Sequence, residues 1–357
     1  MIKKLAAAFI FTLFLSGCSV GEEVNKRAFV QVIGIEKTAD NYSVSLQFYK
    51  PESSDGNPDI SKANSDSASG RGATVTEALS DAELKTGKSL FTGHTKLLIL
   101  GDGLDDPSDE LAVLYSNSAF GNVSPSCPVA YSSDPSAVTD TFMTEGLFSA
   151  DRLISIMDSA VNSGKAFYTS VASIAESTGL TGSAAVLPTV YAEKENVYFS
   201  GGIFTDRYGT HGTIPESELY GMIILKDIFN DDTEITVPVS INGSPASASV
   251  TASDCKKNAS FKNGRLEINA VIHADIRITE NSRHLDEERL MRKVCENIKD
   301  SVISAYSTAV WYNNCDVYDI NKVVRRDCPE IYDELFSEDS SVLRDSVLNV
   351  KILARKV

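Results

Sequence analysis

The spacing of apolar residues in the first third of the chain switches between the periods of strands and helices. A near-continuous apolar run over Phe29–Ile35 predicts a strand buried on both faces, and the alternation over Tyr42–Tyr49 predicts its partner. Residues 74–85 place apolar side chains three and four positions apart, which predicts a helix that Thr74 or Thr76 can cap. Further predicted elements are a strand over 96–100, a helix from about Ser108 and a strand over 128–131.

Two stretches interrupt this alternation. Residues 51–73 are rich in Ser, Asp, Asn and Gly and nearly free of apolar side chains, which predicts a mobile loop. Residues 134–178 have the pattern of helical segments. We therefore predict an N-terminal α/β domain over residues 18–185, with a boundary near 181–195 where the periodicity changes.

Strand periodicity dominates most of the remaining chain. We predict a strand-rich middle domain over residues 186–230 and a C-terminal α+β domain over residues 231–357. In the C-terminal domain, Asp286–Val310 carries the longest apolar helical face and suits packing across an antiparallel-rich sheet. Strands are predicted over 185–187, 190–192, 197–204, 234–240, 246–252, 266–278 and 348–353. The predicted fold class is therefore α+β with two to three mixed domains.

The first eighteen residues have the pattern of an export signal. Lys3 and Lys4 precede an apolar run over Leu5–Leu15, and small residues lead to Cys18. The run is about half as long as a helix that spans the hydrocarbon core, so it is too short for a permanent anchor. The ending Leu15–Cys18 also resembles a bacterial lipobox, in which the Cys thiol takes a diacylglyceryl group. We predict a lipoprotein signal peptide over residues 1–17 and lipidation of Cys18; the alternative is a plain secretory signal.

Charge narrows the classes of function. The 357 residues carry a formal net charge of −16 and have a sequence pI near 4.7. Such a balance argues against a nucleic-acid binder and against a polybasic membrane footprint, both of which need clustered cations. Loss of Lys3 and Lys4 with the signal would make the mature chain more acidic still. A lipid on Cys18 would then tether a body that anionic headgroups repel.

Catalytic and metal-binding motifs are missing from the sequence. The four histidines lack the spacing of zinc ligands, so we predict no metal site, no catalytic residue and no cofactor. His94, just before a strand, is interpreted as structural, and His211 is interpreted as part of a tight hairpin turn. Besides Cys18, five cysteines remain, and only Cys315 and Cys328 are near each other in sequence. Whether these two form a disulfide stays open at this point.

Short segments recur in an order typical of one family. After Cys18 come an acidic stretch at Gly21–Val24, an apolar strand ending in Val32–Glu36, a helix start at Thr74–Ala78 and a His-led strand at His94–Leu100. The second half continues with Gly201–Phe204, Gly212–Tyr220, Ile276–Glu280, Cys315–Tyr318 and Pro329–Tyr332. In this order the chain resembles the Ger(x)C family, the lipoprotein C subunits of nutrient germinant receptors in endospore-forming bacteria.

The resemblance implies a lipid-anchored α+β protein on the outer face of the spore inner membrane, held there by diacylglyceryl-Cys18. It implies a multi-spanning A subunit and a B subunit as partners, in a complex that triggers germination, and it implies no enzymatic activity. The chain departs from the family pattern at three places. Ser19 and Val20 stand where Trp-Asp is usual, Glu36 replaces Asp, and Tyr332 stands where Trp is common.

A second hypothesis is an extracytoplasmic solute-binding lipoprotein of a transport system. Such proteins usually have two repeated α/β lobes and a set of aromatic residues that contact the ligand. The halves of this chain are dissimilar and Trp311 is its single tryptophan, which favours the receptor subunit. A surface hydrolase is a third and weaker hypothesis.

Overall fold

The structure, a computed structural model, describes residues 26–54, 57–117, 119–143, 149–179, 183–281, 284–336 and 342–357. Over the first part of the chain, strands and helices alternate. The elements are β1 (Arg27–Thr38), β2 (Asn41–Ser54), β3 (Asn57–Gly72), α1 (Val75–Thr86), β4 (Ser89–Phe91), β5 (Leu97–Leu100), α2 (Pro107–Ser116), β6 (Val129–Tyr131), α3 (Pro135–Thr139), α4 (Ser149–Asn162) and α5 (Val171–Thr178).

Over the second part, strands are longer and two helices cover them. The elements are β7 (Ala185–Glu193), β8 (Asn196–Asp206), β9 (Gly209–Ile214), α6 (Glu216–Lys226), β10 (Ile235–Ile241), β11 (Ser244–Lys262), β12 (Arg265–Glu280), α7 (Glu287–Tyr306) continued by a π-helical turn (Ser307–Tyr312), α8 (Ile320–Asp327), a 3₁₀ turn (Pro329–Ile331), α9 (Tyr332–Leu335) and β13 (Val347–Lys356).

Within the described residues, these strands form two sheets. Nine strands make the larger sheet in the order β3-β2-β1-β5-β6-β7-β8-β9, with β4 beside β1, and four make the smaller sheet in the order β10-β11-β12-β13. Strands β1, β5 and β6 are parallel, an arrangement typical of strands that alternate with helices along the chain. The predicted cap of α1 is Thr74, whose hydroxyl accepts a hydrogen bond from Glu77 N at 3.1 Å.

The larger sheet is covered on both faces along its centre. One face packs on α1, α2 and α5 through a core that includes Ile33 and Leu79. The other face packs on α3 and α4 through Val32 and Leu153. Burial on both faces explains why β1 and β5 are almost continuously apolar in sequence.

The smaller sheet packs one face on α7. Strands β10, β11 and β12 are antiparallel, and β13 runs parallel to β12. Alternate residues of β12, such as Ile268 and Ile272, are buried in one core with Val294 and Ile298 of α7. The predicted α+β fold, with an antiparallel-rich sheet under a long helix, is therefore confirmed.

The prediction of a mobile loop over residues 51–73 is wrong for the greater part of that range. Residues 57–72 form β3, which pairs antiparallel with β2 and makes an edge of the larger sheet. A backbone ladder needs no apolar side chains, and small residues let α1 approach. A Cβ at position 70 would lie 2.5 Å from Ala82 N, so Gly70 keeps this contact open.

The predicted middle domain contributes strands to the larger sheet and a helix to the core of the smaller sheet. Strands β7, β8 and β9 join the larger sheet at a single residue pair, Tyr131 with Thr189. Helix α6, which the sequence pattern did not predict, packs into the core of the smaller sheet through Leu219 and Met222. The exact boundaries at 185/186 and 230/231 stay predictions. In the described part of the chain, no helix combines the length and apolarity needed to cross a membrane.

Candidate functional site

A buried polar junction joins the start of β7 to the core of the smaller sheet. The segment Cys315–Tyr318 runs along this junction, and Asp316 at its centre is only 2% exposed. The backbone carbonyl of Asp316 accepts a hydrogen bond from Ala184 N at 3.1 Å, and Ser183 forms an isolated parallel bridge with Asp316. One short segment therefore ties the two sheets together.

The carboxylate of Asp316 organises the turn that starts α8. Its oxygens accept hydrogen bonds from the backbone N–H of Tyr318 at 3.1 Å, Ile320 at 2.9 Å and Asn321 at 2.8 Å. Asp319, at the position before the helix, has a φ of 58° and makes no side-chain cap, so Asp316 satisfies the free N–H groups instead. Burial raises the pKa of Asp316, and the three N–H donors oppose that rise.

Cations complete the junction. The Lys226 ammonium, at the end of α6, donates a hydrogen bond to the carbonyl of Val317 at 2.6 Å. Burial lowers the pKa of Lys226, while the negative charges of Asp319 and Asp316 counter that effect. On the rim, Lys322 of α8 forms ion pairs with Glu176 of α5 at 2.7 Å and with Asp319 at 2.9 Å.

Aromatic packing fixes the other side of the same segment. The ring of Tyr318 stacks on Tyr306 with centroids 5.8 Å apart, and Trp311 meets Tyr306 edge-on at 5.6 Å. The Tyr306 hydroxyl lies 2.7 Å from the Ser346 hydroxyl, and Trp311 Nε1 donates to the Ser346 carbonyl at 3.0 Å. The Asp316 carboxylate and the Lys226 ammonium are engaged by backbone groups, so they hold segments in place rather than presenting a reactive group. The buried Tyr318 hydroxyl and Asn321 Oδ1 have no hydrogen-bond partner among the described residues.

The N-terminal and the C-terminal half of the chain each match a known protein-family model. Residues 21–191 match the model described as "Spore germination protein N-terminal domain", and residues 200–352 match the model described as "Spore germination B3/ GerAC like, C-terminal". The chain belongs to the GerAC family of spore germination proteins. These are C subunits of germinant receptors, so the resemblance to Ger(x)C proteins is confirmed.

The fold of this GerAC-family chain is also known from a crystal structure. The crystal structure of the GerBC protein is similar with a TM-score of 0.60 at 13% sequence identity, over 91% of this chain and 96% of that chain. No curated protein matches the chain significantly. Nothing in these comparisons favours the solute-binding alternative.

The structure places the residues singled out by sequence in different parts of the GerAC fold. Cys18 and the predicted signal peptide lie outside the described residues. His94 packs against Phe29 and Phe91, with ring centroids 5.5 and 5.2 Å apart, which agrees with a structural role. His211 lies in strand β9 rather than in the turn itself, and its Nε2 is 2.7 Å from Asp206.

The described cysteines of this GerAC-family chain are all free, so Cys315 and Cys328 form no disulfide. Burial raises the pKa of the Cys127 and Cys315 thiols to about 12 and that of Cys255 to about 11. A thiol with such a pKa is protonated and unreactive at neutral pH. Among the described residues, no three or more His, Cys, Asp or Glu side chains are grouped as metal ligands.

Sequence reasoning reached the Asp316 junction only in part. Cys315–Tyr318 was recognised as a family segment, but its contacts with Ser183 and Lys226 were not predicted. A signal was present at Lys226, because a lysine directly after the apolar run Met222–Leu225 is unusual in a buried helix.

Proposed function

We propose that this C subunit is anchored by a diacylglyceryl group on Cys18 to the outer face of the spore inner membrane. There it acts in germination through contacts with the A and B receptor subunits and without catalysis. The observation that supports this proposal most is the order along the chain. The family match begins at residue 21, directly after the lipobox-like Leu15–Cys18.

The lack of a catalytic role rests on the chemistry of the polar groups. At the Asp316 junction the carboxylate is engaged by three backbone N–H groups, and Lys226 is engaged by a carbonyl. A nucleophile or general base needs a free, accessible atom within reach of substrate. The thiols of Cys127, Cys255 and Cys315 are buried, and their raised pKa values favour the unreactive form.

Replacement of Cys18 by alanine is expected to abolish membrane attachment. Without the thiol, no lipid can be added, and the apolar run that remains is too short to span the bilayer. Fractionation of sporulating cells should show the Cys18→Ala chain as an unprocessed precursor or in the soluble fraction. The matched control Cys295→Ala removes a thiol elsewhere and should stay with the membrane. Normal membrane attachment of Cys18→Ala would contradict the anchoring proposal.

Deletion of the gene is expected to impair nutrient-triggered germination and to leave vegetative growth unchanged, because a receptor subunit is needed only when the spore senses nutrients. The measurement is the loss of spore refractility after nutrient addition, compared with growth rates on single nutrients. A growth defect on one nutrient with normal germination would instead favour the solute-binding alternative.

A further inference from the structure

The two edges of the smaller sheet differ in how their backbone groups are protected. Strand β10, at one edge, carries Pro238, which has no N–H group to offer to another chain. Where β11 extends past β10, the carboxylate of Asp227 accepts a hydrogen bond from Cys255 N at 2.9 Å. Farther along, the carboxylate of Asp327 accepts one from Ala259 N at 2.8 Å. Side chains and a proline therefore oppose the pairing of another strand along this edge.

Strand β13 forms the other edge and lacks such protection. Its pairing with β12 runs from Val347 to Lys356 without a bulge. Val357 N donates to the carbonyl of Ile276 at 3.0 Å, so odd-numbered residues of β13 face β12 and even-numbered residues turn their N–H and C=O groups outward. In the part of the chain that the structure describes, none of these outward groups has a hydrogen-bond partner. A free edge of this length is a template for another strand.

The face of β13 that points away from α7 combines apolar side chains with a free cation. Val347 and Leu353 are 36% and 40% exposed on this face. Lys351 lies between them and pairs with Val271, which has Lys256 on its other side. Neither lysine has a hydrogen-bond or ion-pair partner among the described residues. In a chain of net charge −16, this row is a local site for negative charge.

A concavity beside Leu353 gives room for a further side chain on the same face. Its volume is about 660 Å³. Two ion pairs border it: His273 Nδ1 is 3.1 Å from an Asp254 oxygen, and Arg355 Nε donates to Asp275 at 2.8 Å. Because these charges already satisfy one another, the concavity suits an apolar side chain that packs on Leu353.

We propose that β13 accepts an extended segment of a partner protein as an added strand, with an acidic residue opposite Lys351 and an apolar residue opposite Leu353. Backbone hydrogen bonds to the free edge supply affinity, and the two side-chain contacts select the segment. The inference deepens the proposed function and rests on it in one respect, that the chain acts through contacts with other proteins.

A second copy of this chain fits the edge less well. Residues 347–357 contain Lys351, Arg355 and Lys356 and no Asp or Glu. Pairing of two β13 strands would therefore bring cations together without any anion between them, and like charges on neighbouring strands destabilise a sheet.

The test is the fluorescence anisotropy of a labelled peptide titrated with the full-length chain in detergent micelles. The probe is the capped peptide Thr-Glu-Thr-Val-Thr-Glu-Thr-Val-Thr, in which glutamate and valine alternate on one face of a strand. A control peptide carries lysine at both glutamate positions. We expect saturable binding of the acidic peptide and at least about fivefold weaker binding of the lysine peptide, because the latter sets like charges opposite each other. The measurement does not involve membrane attachment, so it can fail while the anchoring proposal holds, and the reverse.

Two variants locate the binding at β13. Lys351→Glu should reverse the preference, so that the lysine peptide binds more tightly than the acidic one. Ala354→Pro removes one outward N–H group without touching the bonds to β12, and it should weaken binding of the acidic peptide at least about tenfold. Lys299→Glu changes the same charge at an exposed position of α7 and is the matched control. It should bind as the native chain does.

Four results would each overturn the proposal. They are absence of saturable binding up to about 1 mM, equal binding of the two peptides, and unchanged binding by both Lys351→Glu and Ala354→Pro. The fourth is a dimer in sedimentation experiments that Ala354→Pro dissociates, because the edge would then pair with a second copy of the chain.

Discussion

Gly221→Val is expected to lower the free energy of unfolding by about 3 kcal/mol or more. Helices α6 and α7 cross at Gly221, and a Cβ there would lie 2.6 Å from Ser301 Oγ and closer still to the Ser301 carbonyl. The obstacle is backbone, which cannot rotate away as a side chain can. Both helices are part of the core of the smaller sheet, so separating them exposes apolar surface on each side.

The control for this effect is Ser217→Val, which adds a valine to an exposed position of the same helix. It should cost only a few tenths of a kcal/mol from helix propensity. Chemical denaturation followed by circular dichroism measures both variants. If Gly221→Val unfolded within about 1 kcal/mol of the native chain, the close crossing of α6 and α7 would be wrong.

Asp316→Ala is expected to lower the free energy of unfolding by about 2–4 kcal/mol. Three backbone N–H groups would lose their acceptor in a buried site, and each unsatisfied donor carries a desolvation penalty. The buried Lys226 would also lose a nearby negative charge. Asp316→Asn should have an intermediate effect, because the amide keeps only one oxygen to accept hydrogen bonds.

Asp286 offers a matched comparison, because it also caps a helix with its carboxylate. It is exposed and accepts one backbone hydrogen bond, from Arg289 N at 2.8 Å. Asp286→Ala should therefore cost only about 1 kcal/mol. Thermal melts of the two variants test the difference, and equal effects would show that Asp316 acts only as an ordinary exposed cap.

The strands and helices with one or two buried faces could be predicted from sequence, because burial imposes a period on the apolar residues. This holds for β1, β2, β12 and α7. Strand β3 could not be predicted in this way. Ser67 and Ser69 lie on a face of the larger sheet that is polar at this end, and Gly70 lies on the opposite face, against α1. Apolar residues therefore do not recur along β3 with the period of a strand.

The candidate sites depend on contacts between distant parts of the chain. Ser183 meets Asp316, and Lys256 comes into one row with Lys351, only after the sheets have formed in one register. The family resemblance pointed to the segment that contains Asp316, but a segment does not reveal its partners. Register is set by the packing of whole strands, which is why these neighbours could not be predicted from local sequence.

The parallel pairing of β13 with β12 has a consequence for the order of folding. Helices α7 and α8 lie between the two strands in the chain, so this pairing closes a long loop. Because closing a long loop costs conformational entropy, we expect β13 to pair with β12 late in folding. The hairpins of β10, β11 and β12 are local and can form first. The edge of β12 then stays open until β13 pairs with it. For that interval it is an open edge at which a second chain can pair.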